Sequence, residues 1–254
     1  MGAAGTHYAD LTGEALFVRD MIDTHHATAQ ATGARIVNFC GFDSVPSDLG
    51  VLLTAQQAAA DGEGTLTDTV LRVRSMRGGF SGGTVDSMRR QFTEAAADEA
   101  RAAVVKDPYG LSPDRDAEPD RSGSGTGRGR GSRMPVAKDG ESGRWEAPFV
   151  MAGYNTRVVR WSNTLTGWSY GGDFRYREVT DTGAGPRGLV RVAAARDPAY
   201  TGTAVMLGQA GLALAEDEDR LPARTGVLTP ATALGDVLVQ RLRDHGFTLE
   251  TRRR

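Results

Sequence analysis

Residues 34–60, ARIVNFCGFDSVPSDLGVLLTAQQAAA, decide the fold class of this chain. The run 34–40 is short and rich in apolar and β-branched residues, which predicts a buried strand that ends at Gly41. The polar turn Asp43–Asp48 supplies several candidate helix caps, and the apolar residues after it predict a helix over Leu49–Ala60. A strand followed directly by a helix is the repeating unit of a parallel sheet.

The residues before this stretch predict one more unit of the same kind. Tyr8–Leu11 is a short apolar run that predicts a strand. Apolar residues then recur at helical spacing from Leu16 to Ile22, in a helix expected to end at Gly33. The order strand, helix, strand, helix predicts an α/β protein with a parallel sheet, in which ligands bind beyond the carboxyl ends of the strands.

The remainder of the chain changes in character after residue 62. We expect a strand over Thr69–Met76, a long helix over Val85–Val105 and a mobile loop or lid over Asp107–Glu146, which is rich in Gly, Ser, Pro and Arg. Strand-like alternation follows in RVVRW (157–161), DFRYREV (173–179) and GLVRVAA (188–194), and helices are expected over 203–215 and 229–245.

Composition excludes several classes of protein. Hydrophobic residues make up 39% of the 254 residues, which is enough apolar material for a core and argues against wholesale disorder. The net charge of −2 gives no overall attraction to nucleic acid, and the single cysteine, Cys40, excludes an internal disulfide framework. We find no run long enough to span a bilayer, no signal peptide and no metal-ligand motif, so the sequence predicts a cytoplasmic protein, with peripheral membrane attachment as an alternative.

Two carboxylates follow the predicted strands of the first sheet. Glu14 comes after the first strand, and Asp43 lies in the turn after the second. Carboxylates there could transfer protons or hold a ribose hydroxyl. The alternatives are that Glu14 is an acid favoured by the helix dipole and that Asp43 is a helix cap.

Glycine-rich turns were compared with nucleotide-binding motifs. Ser81-Gly82-Gly83-Thr84 precedes a predicted helix, where backbone amides and the helix dipole favour an anion, although a plain helix cap explains the same residues. Gly183–Gly188 matches the pattern G-x-G-x-x-G, but it lies between two strand-like runs and contains Pro186. A glycine-rich hairpin is therefore the better prediction for that motif.

Five blocks in this order resemble one enzyme family. They are GTHYADLTGE (5–14), ARIVNFCGFDSVPSDLG (34–50), RGGFSGGT (77–84), APFVMAGYNTRVVRWSN (147–163) and GVLTPATALGDVLVQRL (226–242). Through these blocks the chain resembles the saccharopine dehydrogenase-like oxidoreductases, and within that family it is most similar to the trans-acting enoyl reductase branch. The resemblance covers nearly the whole chain except the loop 107–146.

The resemblance implies a fold and a division into domains. It implies the C-terminal remnant of a Rossmann-type parallel sheet over residues 1–62 and a second α/β domain with a mixed sheet over 63–228. A C-terminal helix within 229–254 would pack back on the first domain. The family's glycine-rich nucleotide turn precedes the first residue of this chain, so we expect an N-terminally truncated form, whether the truncation is real or reflects a misplaced start.

The resemblance also implies a reaction and a site. The expected reaction is NADPH- or NADH-dependent reduction of an unsaturated lipid-like or polyketide-like acyl substrate. The implied catalytic residues are Glu14 and Asp43. The implied NADP or NAD contacts are Thr12, Gly13, Gly41, Phe42, Ser44 and Pro46, and the implied substrate contacts are Ser81, Gly82, Gly83 and Thr84. The alternative is a relic or dimerisation module without hydride transfer; a homodimer or a complementing nucleotide-binding chain is the partner to expect.

Overall fold

The computed structural model describes residues 2–76, 82–114, 116, 118, 136–138, 143, 145–181 and 190–252. Within these ranges, the side chains of Thr84, Val85, Met88, Ala137 and Asp181 are outside the description. The predicted substrate residue Ser81 and the glycine motif Gly183–Gly188 lie outside the described residues.

Helices and strands alternate along the first part of the chain. The strands are β1 (Tyr8–Ala9), β2 (Arg35–Val37), β3 (Asp68–Val73), β4 (Ala137–Lys138), β5 (Trp145–Pro148), β6 (Arg175–Asp181), β7 (Val190–Ala194), β8 (Gly226–Leu228) and β9 (Phe247–Thr251). The α-helices are α1 (Ala15–Thr32), α2 (Val45–Ala60), α3 (Gly82–Ala97), α4 (Glu99–Lys106), α5 (Ala152–Leu165), α6 (Thr203–Glu216), α7 (Pro230–Ala233) and α8 (Gly235–Asp244).

A parallel sheet forms the framework of the first part. Its strand order is β1-β2-β8, with Ile36 of β2 opposite Tyr8 on one side and Val227 on the other. All residues of β2 are buried, as expected for a central parallel strand covered by helices on both faces. The predicted α/β fold with a parallel sheet is therefore confirmed. Helix α1 ends at Gly33, whose φ of 78° supplies the left-handed turn that glycine adopts without strain.

A mixed sheet lies in the second part, as predicted. Its order is β3-β6-β5-β4, with β3 parallel to β6 and the other neighbours antiparallel. Strands β7 and β9 form a separate antiparallel pair. The predicted strand in DFRYREV corresponds to β6, and the one in GLVRVAA corresponds to β7.

A buried carboxylate ties the two parts together. Asp48, in the first turn of α2, is fully buried and accepts hydrogen bonds from Ser162 Oγ at 2.5 Å and from the Ala231 backbone N–H at 2.7 Å. Ser162 Oγ also lies 2.6 Å from Thr229 Oγ1. Helices α2, α5 and α7 therefore meet at one carboxylate inside an apolar core.

The structure corrects several predicted boundaries. Strand β1 ends at Ala9 rather than Leu11, and α2 begins at Val45 rather than Leu49. The helix predicted over 85–105 is divided by Asp98, whose carboxylate accepts from the Ala100 and Arg101 amides and so caps a second helix. The helix predicted over 229–245 is divided at Leu234.

The prediction of a strand in RVVRW was wrong. Residues 157–161 lie within α5, where Val158 and Trp161 are buried three residues apart on one helical face. Arginines flank the two valines, and this order of polar and apolar residues resembles that of a strand. In the helix, the guanidinium group of Arg160 lies over the ring of Tyr109. The segment predicted as a loop over 107–146 contains β4 and the beginning of β5, and its first residues are packed: Tyr109 and Leu111 are buried.

The Asp48 carboxylate makes stability depend on pH. Burial raises the pKa of Asp48 from 3.8 to about 6, and hydrogen bonds from Ser162 and Ala231 offset part of that rise. The pKa of Asp48 is higher in the folded than in the unfolded protein. The contribution of protonated Asp48 to the free energy of unfolding is therefore fully present below pH ~4 and is lost as the pH rises through ~6. We therefore expect the free energy of unfolding of Asp48→Asn, measured in urea, to rise relative to that of wild type by up to about 3 kcal/mol as the pH increases from 4 to 7.

The control is Asp219→Asn, which changes an exposed carboxylate. Its free energy of unfolding should follow wild type across this pH range. A difference between Asp48→Asn and wild type that is constant with pH would show that Asp48 is not the titrating group.

Candidate functional site

The loops after β1 and β2 lie side by side at the carboxyl edge of the parallel sheet. The backbone N–H of Asp10 donates to the Val37 carbonyl at 3.0 Å, and the N–H of Cys40 donates to the Asp10 carbonyl at 2.9 Å. The side chain of Leu11 approaches within 3.4 Å of a Cβ built on Gly41. The predicted residues of these two loops are thus brought to the same edge of the sheet.

The Asp10 carboxylate organises this edge, and sequence reasoning missed it. It accepts from the Tyr8 hydroxyl at 3.0 Å, from both the backbone N–H and Oγ1 of Thr12, and from Nδ2 of the buried Asn38. The bond to the Thr12 N–H forms an Asx turn, which ends β1 and starts the loop toward Glu14. A carboxylate next to a strand end was the available signal, but Asp10 was assigned to the strand itself.

The end of β2 carries backbone strain. Phe39 is buried and has a φ of 67°, a conformation that aromatic residues rarely adopt. Beside it, Oδ1 of the fully buried Asn38 has no hydrogen-bond partner among the described residues. Strain and an unsatisfied polar atom at one strand end are features that cluster at functional sites.

A second buried polar network lies behind the loop that follows β2. Ser44 Oγ donates to Asn155 Oδ1 at 3.1 Å, and Asn155 Nδ2 donates to Glu178 Oε2 at 2.9 Å. Glu178 Oε1 accepts from the Tyr176 hydroxyl at 2.7 Å. Burial raises the pKa of Glu178, and hydrogen bonds from Ser47, Tyr176 and Asn155 counteract that rise. The network joins the beginning of α2 to α5 and β6.

Glu14 lies at the beginning of α1 and faces the second part of the protein. Its side chain makes no capping hydrogen bond; Oε1 of the buried Gln91 accepts from the Ala15 N–H at 2.8 Å instead. Gln91 Nε2 donates to the Tyr154 hydroxyl at 3.4 Å. Burial, and then the charge of Glu14, raise the pKa of Tyr154. Gln91 and Tyr154 were not predicted, because the contact depends on three elements distant in sequence.

The other predicted residues have diverse surroundings. Among the described residues, no heavy atom lies within 4 Å of a Cβ built on Gly13, so this part of the structure leaves its backbone approachable. The Phe42 N–H donates to Thr203 Oγ1 at 3.0 Å, Asp43 is exposed, and Pro46 is half-buried in the first turn of α2.

Three of the four predicted substrate residues, Gly82, Gly83 and Thr84, are described, and they fall at the beginning of α3. Gly82 is its first residue, and Gly83, like Gly82, is exposed. Thr84 follows in the same turn, and Gln91 lies further along the same helix, where it reaches the beginning of α1. The structure therefore links α3 to the beginning of α1 through Gln91.

Two cavities among the described residues lie elsewhere. One is lined by Tyr109, Leu111, Ser112, Glu118, Arg157, Arg160, Trp161 and Thr164, and the other by Gln30, Leu165, Ala223, Arg224, Thr225 and Leu228. Neither lining includes a predicted site residue. None of the described helices is long and apolar enough to cross a membrane.

The observed arrangement defines an α/β protein with a candidate ligand site at the carboxyl edge of its parallel sheet. A Mycobacterium tuberculosis protein provisionally named a trans-acting enoyl reductase is 42% identical over 316 aligned residues, which cover 99% of this chain and 75% of the relative. Trans-acting enoyl reductases of Mycobacterium ulcerans and Mycobacterium bovis are 37% and 38% identical, and each match covers 98% of this chain and 75% of the relative.

This chain belongs to the trans-acting enoyl reductase family. The aligned region is longer than the chain, so the relatives carry residues inside the matched region that this chain lacks. No protein-family model and no solved structure matches the chain.

Removal of the Asp10 carboxylate should loosen the strand-end loops. We expect Asp10→Ala to lower the free energy of unfolding by about 2–3 kcal/mol, because the buried Asn38 amide loses its acceptor. Tyr8→Phe removes only one of the hydrogen bonds and should cost about 1 kcal/mol. Urea unfolding of both variants checks the ranking, and equal losses would contradict the central role of Asp10.

Proposed function

We propose that this chain is an NADPH- or NADH-dependent oxidoreductase that reduces the carbon–carbon double bond of an unsaturated, lipid-like or polyketide-like acyl substrate. The observation that carries the proposal is the 37–42% identity, over nearly the whole chain, to proteins named trans-acting enoyl reductases. The wider relationship to saccharopine dehydrogenase-like enzymes and a Rossmann-type origin of the parallel sheet belong to the same proposal.

The carboxyl edge of the parallel sheet fits the nicotinamide end of the cofactor. Thr12 and Gly13 would border the ring, because the Gly13 backbone is open while Asp10 fixes Thr12 beside it. When bound, a reduced nicotinamide supplies a hydride to the β-carbon of the substrate, so the protein contributes orientation and electrostatics.

The residues after β2 would support the cofactor in two ways. Phe42 and Pro46 are only half-buried and can contact it. Gly41 is buried against Leu11 and Thr203, and the Ser44 hydroxyl is committed to Asn155, so both would act by holding the loop in shape. Of the two proposed catalytic carboxylates, Asp43 is exposed and Glu14 faces Tyr154.

The described residues give less support for binding of the pyrophosphate group of the cofactor. The connections that follow β1 and β2 contain one glycine each, Gly13 and Gly41, rather than the glycine-rich turn that cradles a pyrophosphate. A complementing nucleotide-binding chain is the proposed source of that cradle, and a homodimer is the alternative assembly. The substrate would lie toward Gly82, Gly83 and Thr84 at the beginning of α3, and Ser81, which is outside the described residues, is proposed as a further contact.

Cofactor binding by the full chain tests the proposal directly. We expect NADPH fluorescence titration to give saturable binding at micromolar concentration, and oxidation of NADPH when a trans-2-enoyl thioester such as crotonyl coenzyme A is added. Binding only after a nucleotide-binding partner is supplied would support the partner arrangement. A folded chain that is inert to NADPH in both cases would favour the non-catalytic alternative.

Glu14→Gln tests the catalytic carboxylate. It removes the charge and keeps the shape, so we expect kcat to fall about 100-fold while the Kd for NADPH changes little. The matched control is Glu250→Gln, which changes an exposed carboxylate on β9 and should leave kcat unchanged. Full activity in Glu14→Gln would remove Glu14 from the mechanism.

A further inference from the structure

Gln91 connects the beginning of α1 to the first turn of α5. Its Oε1 accepts from the Ala15 N–H at 2.8 Å, next to Glu14, and its Nε2 donates to the Tyr154 hydroxyl at 3.4 Å. Gln91 is itself only 6% exposed, so its amide is held in place by packing. One buried side chain thereby joins the beginning of α1, next to Glu14, to Tyr154 on α5.

Among the described residues, the Tyr154 hydroxyl and the Glu14 carboxylate keep unused hydrogen-bonding capacity. The Tyr154 hydroxyl accepts from Gln91, and no acceptor for its own O–H is found in the part of the chain that the structure describes. The Glu14 carboxylate likewise has no hydrogen-bond donor among those residues. Tyr154 is half-buried in the first turn of α5, so its ring is fixed while its hydroxyl can reach a ligand.

We propose that Tyr154 is the proton donor of the reaction, with Gln91 as its positioning residue; this inference rests on the function proposed above. After hydride addition to the β-carbon, the substrate is an enolate. The O–H bond of Tyr154 breaks, and its proton forms the new C–H bond at the α-carbon. The phenolate left behind takes a proton from solvent, so the tyrosine is restored and atoms and electrons balance.

The neighbouring groups suit this step. Burial and the Glu14 charge raise the pKa of Tyr154, while the positive Arg157 opposes them, so the phenol is protonated at neutral pH. The Gln91 N–H points at the oxygen on which negative charge develops, and such hydrogen bonds shorten when a reaction reaches that stage. Gln91 also lies on the helix that begins with Gly82 and Gly83, the proposed substrate side.

Kinetics of Tyr154→Phe test the donor role. With NADPH and crotonyl coenzyme A, we expect kcat to fall at least about 100-fold, with the Kd for NADPH unchanged. Gln91→Glu keeps the acceptor for Ala15 but loses the N–H toward Tyr154, and it should lower kcat about 10-fold with little change in KM. The matched control, Tyr200→Phe, removes an exposed hydroxyl and should retain full activity.

A titration provides a readout that does not need substrate. In protein with ¹³C-labelled tyrosine rings, the resonance that disappears in Tyr154→Phe reports the pKa of Tyr154. Glu14→Gln should lower that pKa, because the neighbouring carboxylate raises it in wild type. An unchanged pKa in Glu14→Gln would overturn the coupling between the two residues.

The outcomes separate this inference from the proposed function. Near-normal turnover in Tyr154→Phe would overturn the donor role and leave the reductase function standing. Absence of NADPH binding and turnover in wild type would overturn the reductase function and the donor role with it, while the titration would still decide whether Glu14 and Tyr154 are coupled.

Discussion

The buried carboxylate of Asp48 is the interaction on which the rest of the structure depends. It accepts from Ser162 on α5 and from the first turn of α7, and it lies itself on α2. Helices α2 and α7 each follow a strand of the parallel sheet, whereas α5 packs beside the mixed sheet. One ionisable group thus fixes how the helices after β2 and β8 meet the second part of the protein. A buried carboxylate is costly unless it is fully hydrogen-bonded, so the donors must be in place for the core to form.

The candidate site uses the frame that Asp48 stabilises. Ser44, directly before α2, is hydrogen-bonded to Asn155 and through it to Glu178 on β6. Asn155 is adjacent to Tyr154, so the network that secures the loop after β2 also holds the first turn of α5, which carries Tyr154. Pre-organisation of this kind matters for hydride and proton transfer, because groups held in place before reaction do not have to reorganise during it. The polar connections between the two sheets therefore contribute to both stability and the proposed chemistry.

Local sequence patterns predicted the strands and helices that are specified by residues close together in the chain. The all-buried β2, the helix after it and the stop at Gly33 follow from short apolar runs and a glycine with positive φ. Local sequence patterns failed where contacts with distant parts of the chain decide which residues are buried. Residues 157–161 alternate like a strand, but Val158 and Trp161 are buried because a helix lies against the core formed by α1. Strand β8 is not predicted because three residues carry little periodicity, and its place beside β2 depends on pairing between residues 191 positions apart in the sequence.

The sequence by itself determined the family, the α/β class and the two strand-end loops that carry Glu14 and Asp43. These features depend on which residues are present and on their spacing over a few positions, and both are properties of the unfolded chain as well. The contacts at the beginning of α1 follow from the packing of distant elements. Gln91 on α3 accepts from the N–H of Ala15, 76 residues away along the chain, and donates to the Tyr154 hydroxyl on α5. The physical reason is that a hydrogen bond depends on distance in space, and no local pattern encodes the packing of three helices around one amide.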